Sequence, residues 1–112
     1  MQNIAEPPVD IIEKADKFII IMDLPGVKPE NLSIKATENS ITVSGIKINE
    51  FTGRYIRMER FVGKVKRTIH FNTYINITNT VGTLKDGVLI LEIPKATNEF
   101  IVENCIEIII RR

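Results

Sequence analysis

Apolar and polar positions alternate with a period of two along much of this chain. "LSIKA" (32–36) places Leu32, Ile34 and Ala36 on one face, and "ITVSG" (41–45) turns Ile41 and Val43 the same way. Such alternation predicts half-buried strands, because successive side chains of an extended backbone point to opposite sides. "VDIIE" (9–13) reads as a short first strand, and "FIIIMDL" (18–24) as a strand covered on both faces, stopped by Pro25-Gly26. "VKPENL" holds one helical turn, with Pro29 in the first-turn position. "YIRMERF" and "GKVKRTIHF" are two further strand candidates. In the latter, Val65, Ile69 and Phe71 share a parity. "NTYINITNT" is Asn/Thr-rich and predicts irregular backbone. "VGTLK" and "VLILEI" flank Asp86-Gly87, a hairpin signal. No window shows a capped helical period. Short strands at this spacing predict an all-β fold, an antiparallel sandwich.

The chain's 112 residues suit one domain, and 44% hydrophobic content suffices for a core. The formal net charge of +1 gives no global attraction to nucleic acid or membrane, and neither is expected as a partner. The first ten residues lack a basic start and a long apolar stretch, so no signal peptide is expected. Cys105 is the single cysteine and has no internal disulfide partner. A cytoplasmic location follows as the expectation.

Little in the sequence suits catalysis. His70 is the one histidine, so a metal cluster or a His-based triad lacks material, and its neighbours place it on a strand's outer face. Cys105 has no histidine near it in sequence, and the six glycines form no phosphate loop. No catalytic residue, metal ligand or cofactor is expected. The stretch 54–67 carries Arg54, Arg57, Arg60, Lys64, Lys66 and Arg67 against Glu59, interleaved with Tyr55 and Phe61. That mixture suits single-stranded nucleic acid. A solvated strand face explains it more simply.

A last apolar run, "CIEIII" (105–110), follows a more polar segment, 95–105. Ile106 and Ile108 share one face of an extended segment, and Ile108 and Ile110 offer an overlapping pair. The run is either a further strand of the sandwich or a detachable plug for a hydrophobic groove on a neighbouring subunit. Burying two isoleucines yields about 3–6 kcal/mol gross. Ordering and lost motion consume much of it, so one plug binds weakly and several bind well.

These pieces together resemble the small heat-shock proteins, whose hallmark is an α-crystallin domain. The resemblance spans roughly 7–110. "FIIIMDLPGVKPENLSI" resembles the family's opening strands with a D-L-P-G-V turn, and "ITVSGIK" its next strand. "YIRMERFVGKVKRTIHF" resembles its exchanged strand and the basic strand after it. "GTLKDGVLILEIPK" resembles the closing signature A-x-x-x-n-G-V-L, with Gly82 in place of its alanine. "IEI" (106–108) resembles the I-x-I tail motif. The resemblance implies an immunoglobulin-like antiparallel β-sandwich that dimerises by strand exchange. It divides the chain into a short N-terminal arm (1–8), the sandwich (9–94) and a C-terminal extension (95–112). The loop 47–62 would carry the exchanged strand, with Arg54, Tyr55, Ile56, Arg57, Met58, Glu59 and Arg60 at the dimer interface. Ile106, Ile108 and Ile110 would supply the plug for a groove between Leu32 and Ile34 on one edge and Val81 and Leu84 on the other. The implied activity is ATP-independent holding of partly unfolded client proteins by a homodimer or higher homo-oligomer, without a cofactor. A sandwich-shaped adaptor or co-chaperone, and a nucleic-acid-binding module using 54–67, are the competing readings.

Overall fold

The structure is a computed structural model and describes residues 4–97, 106–108 and 110–111. Its strands fall where alternation predicts them, because each needs one apolar face for a shared core. They are β1 (Ile4–Ala5), β2 (Val9–Glu13), β3 (Lys17–Asp23), β4 (Leu32–Ala36), β5 (Ser40–Lys47), β6 (Gly63–His70), β7 (Val81–Lys85), β8 (Val88–Pro94), β9 (Ile106–Glu107) and β10 (Ile110–Arg111). Two five-stranded sheets face each other, ordered β1-β6-β5-β4-β9 and β10-β7-β8-β3-β2. Between them lie Phe18, Ile20 and Met22 of β3, Leu89, Leu91 and Ile93 of β8, and Ile34, Ile41, Val43, Val65 and Ile69 of the opposite sheet, all buried. Phe18 and Phe71 meet at a centroid distance of 4.6 Å. The fold is an all-β sandwich.

Local chemistry sets the connections. Pro29–Asn31 form a three-ten turn that leads straight into β4. Asp86 and Gly87 both have positive φ, 52° and 76°, as a two-residue hairpin between β7 and β8 requires. The carbonyl of Gly87 accepts from the Leu24 N–H at 2.7 Å, which ties this hairpin to the end of β3.

Four details depart from the sequence reading. β3 is sealed on its inner face, but Ile19 and Ile21 on its outer face are half-buried rather than covered. "YIRMERF" forms no strand: 48–62 is irregular, because no strand of its own chain lies beside it. The Asn/Thr-rich segment is irregular as expected, yet it buries Ile75 and Ile77. Backbone bonds from Ile75 to the Glu38 carbonyl and from Asn76 to the Pro94 carbonyl, both 2.8 Å, hold it there. Finally, Ile4–Ala5 form a parallel pair with β6, and Arg67 donates to the Pro7 carbonyl at 3.2 Å, fixing this short segment.

Candidate functional site

The two sheets end side by side at β4 and β7, and the seam between these edges is the candidate site. On β4, Leu32, Ile34 and Ala36 point into the sandwich, and Ile34 and Ala36 are fully buried. On β7, Val81 and Leu84 are half-buried, and Leu84 packs against the core. Gly82 lies between them with no side chain. A Cβ there would stand 2.9 Å from Leu91 Cδ2 and 3.8 Å from Ile34 Cδ1. The seam floor is therefore as low as the backbone permits.

The C-terminal residues occupy this seam in their own chain. β9 pairs antiparallel with β4, Glu107 opposite Lys35 and Ile106 opposite Ala36. β10 pairs parallel with β7, Ile110 opposite Gly82 and Arg111 opposite Thr83. Between them the Ile108 N–H donates to the Ile34 carbonyl at 2.8 Å, and Ile108 is only 7% exposed. The segment thus crosses from one sheet to the other with Ile108 at the crossing. The sequence reading assigned this run to a neighbour's groove; in the single chain it sits on its own. Thr97 and Ile106 bracket the connection, and nine peptide steps span at most ~30 Å.

Energetics make this cap removable. Burying one isoleucine stabilises by about 1.5–3 kcal/mol, and each new backbone hydrogen bond adds ~1 kcal/mol net. Ordering the segment costs about 1–2 kcal/mol per residue. Gains and costs are both several kcal/mol, so docking is marginal rather than permanent. The sequence names Leu32, Ile34, Val81 and Leu84 as groove residues and the small Gly82 as its floor; the structure adds the register that seats the tail on Ala36 and Gly82. They are the register partners of Ile106 and Ile110, and their small size is the signal. Gly82→Val is expected to cost about 1–3 kcal/mol through overpacking against Leu91, read as a lowered urea midpoint. Gly82→Ala is expected to stay within ~1 kcal/mol, as better strand propensity offsets a slight shift of Leu91. An unchanged midpoint for the valine variant would show that the floor has room.

The second element is the loop 48–62. Arg54, Tyr55, Ile56, Arg57, Met58, Glu59 and Arg60 are all exposed on it. Ile56 is 94% exposed and Phe51 70%. Within the chain the loop is held by little. Tyr55 donates to the Phe51 carbonyl, and Lys28 pairs with Glu50 at the loop's base. Bonding to that carboxylate raises the Lys28 ammonium further above the usual lysine range. Arg57 and Glu59 meet at 3.3 Å, but an ion pair this exposed contributes almost nothing. Across the sandwich β2 forms an open margin: its one neighbour is β3, and Ile11 and Ile12 are exposed on it beside Asp10 and Glu13.

Among the described residues no group of three or more His, Cys, Asp or Glu converges to hold a metal. His70 is exposed at the end of β6, opposite Ser40. Cys105 lies outside the described residues.

The fold is a β-sandwich whose two adjacent sheet edges are bridged by a short isoleucine segment. The Hsp20/alpha crystallin family model matches residues 10–111, and the chain belongs to that family. It is 33% identical over 97 residues to a 17.7 kDa class II heat shock protein of Arabidopsis thaliana, covering 81% of this chain and 62% of that one. It is 30% identical over 96 residues to small heat shock protein C4 of Rickettsia felis, covering 83% and 59% respectively. The chain thus spans about three-fifths of the length of these relatives. Among solved structures, heat shock protein 16.0 from Schizosaccharomyces pombe superposes with a TM-score of 0.73 at 27% identity, covering 88% of this chain and 98% of that one.

Proposed function

We propose that this chain is an ATP-independent holdase, a non-enzymatic cytoplasmic chaperone that binds partly unfolded proteins and keeps them from aggregating. The seam carries this reading: two sheet edges offer backbone donors and acceptors together with an apolar floor, capped by a segment held only marginally. An unfolding client presents the same chemistry, extended backbone with β-branched side chains, and takes the cap's place. Holding it removes the client from aggregation by mass action, with no fuel consumed.

The same seam serves assembly. The reach that brings Ile108 to its own groove equally brings it to a sister's, so the C-terminal extension links protomers when they are crowded. The loop 48–62 supports a homodimer, its residues 54–60 laid along the open β2 edge of the partner. Arg54, Arg57 and Arg60 then lie near Asp10 and Glu13, the latter also paired with Lys95. Ile56 and Met58 share a face of an extended segment and cover one of Ile11 and Ile12, which point to opposite faces. The testing experiment is turbidity of a heat-labile client with the chain present and nucleotide absent. Aggregation is expected to fall in proportion to added chain and to return when a peptide of residues 104–112 competes for the seam. A client that clouds at the same rate with and without the chain would refute holding.

A further inference from the structure

Just past the ends of β4 and β6 lies a depression of about 480 Å³, lined by Asn39, Phe71, Asn72, Thr73 and Tyr74. No charged side chain is among these lining residues. The backbone that shapes the depression is already bonded. The Asn39 carbonyl accepts from the Phe71 N–H at 2.8 Å, and the Glu38 carbonyl accepts from the Ile75 N–H at 2.8 Å. The Tyr74 carbonyl accepts from the Ala96 N–H at 2.9 Å. The Thr37 and Ser40 hydroxyls meet at 2.6 Å and close the turn that presents Asn39. The side chains, by contrast, face solvent. Asn39, Asn72 and Tyr74 are exposed and Thr73 is half-buried, while Phe71 is covered and stacked on Phe18. Among the described residues, the Asn72 amide and the Tyr74 hydroxyl have no hydrogen-bond partner. None of the five lining residues belongs to the seam or to the loop 48–62.

We propose that this depression binds a neutral saccharide of one or two pyranose rings. Asparagine amides and hydroxyl side chains both donate and accept, as every sugar hydroxyl does, so Asn39, Asn72 and Thr73 can pair with it in either sense. One face of a pyranose is lined with C–H bonds whose hydrogens carry partial positive charge. That face suits the electron-rich face of an aromatic ring such as Tyr74. The volume falls in the range of small-ligand sites. The walls are held by backbone bonds, so little must be ordered on binding. Other ligand classes fit less well. A phosphate-bearing ligand finds no cation on the lining. An extended peptide finds no free edge, because the N–H groups of Phe71, Ile75 and Ala96 are all taken. The depression is open to solvent, so binding is weak, with a Kd on the order of 1–10 mM.

The test is titration of the full chain with maltose, read by NMR at the side-chain amides of Asn39 and Asn72. Melting temperature is not the readout, because sugars stabilise folded chains generally through exclusion from their surface. Shifts at both amides are expected to saturate with maltose. Glycerol, a polyol with no apolar face, is expected to give no saturating shift. Asn72→Ala is expected to weaken binding roughly fivefold, now read at Asn39. Tyr74→Leu is expected to weaken it roughly threefold to tenfold, whereas Tyr74→Phe keeps the ring and most of the affinity. Asn79→Ala, on the neighbouring turn outside the depression, is expected to leave it unchanged. Circular dichroism melting of each variant checks that the sandwich persists. Shifts that climb linearly with maltose, an Asn72→Ala variant that binds as tightly as the parent, or an equal loss in Asn79→Ala would each overturn the proposal.

Discussion

Ile108→Asp is expected to empty the seam. The side chain is almost fully covered, and its N–H is bonded to Ile34. The substitution removes about 1.5–3 kcal/mol of apolar burial and would place a carboxylate over an apolar floor, which costs a further ~1–3 kcal/mol or more unless it leaves. Against a docking free energy of only a few kcal/mol, either change suffices. In hydrogen exchange the Ile108 amide loses its protection, and so do the edge amides of β4 and β7 that the tail shields. In multi-angle light scattering, any species larger than a dimer collapses to the dimer. Ile110 lies two residues on and has the same chemistry, so Ile108→Asp is paired with Ile110→Asp. Protection and mass that both survive in the double variant would show that the seam is not where this segment binds.

Removal of residues 50–59 is expected to convert dimers to monomers. The deleted stretch contains Phe51, Tyr55, Ile56 and Met58, exposed by 70%, 46%, 94% and 57%. An apolar surface of this kind on a long arm needs a cover, and its own sandwich supplies none. The sandwich itself should persist. β5 and β6 stay in register from Lys47 opposite Gly63 onward, and residues 48, 49 and 60–62 remain as a hairpin loop of ordinary length. Shortening a flexible loop changes closure entropy by only ~1 kcal/mol. The measurement is light-scattering mass together with a thermal melt. A folded variant that still weighs twice the chain would exclude strand exchange through this loop.

Much of the sandwich was legible because one face of each strand is buried and one is wet. "LSIKA" gives Leu32, Ile34 and Ala36 inward and Ser33 and Lys35 outward, and the structure has that burial order. Asp86-Gly87 announces its hairpin because few other pairs accept two positive φ values. What stayed hidden depends on partners rather than on pattern. "YIRMERF" has strand-like composition, but a strand needs a neighbour, and its own chain provides none. Ile75 and Ile77 enter the core from irregular backbone, where no periodicity exists to reveal them. β1 is too short for any period. At the site, the isoleucines and the Leu32/Ile34 edge could be read from the chain. The seating of Ile106 against Ala36 and Ile110 against Gly82 could not, because register between distant segments is set by close approach of backbones.

The margins of the two sheets also limit how far such molecules can grow. Among the described residues, three of the four outermost strands are two residues long, namely β1, β9 and β10. A strand of that length is a poor template for another chain. Among the described outermost strands β2 alone is long enough to recruit a foreign strand, and under the proposed exchange the arm of an identical molecule would fill it reciprocally. At this margin, open-ended stacking into ribbons, the failure a protein rich in bare isoleucine most invites, would then end at the second copy, leaving further growth to the seam alone.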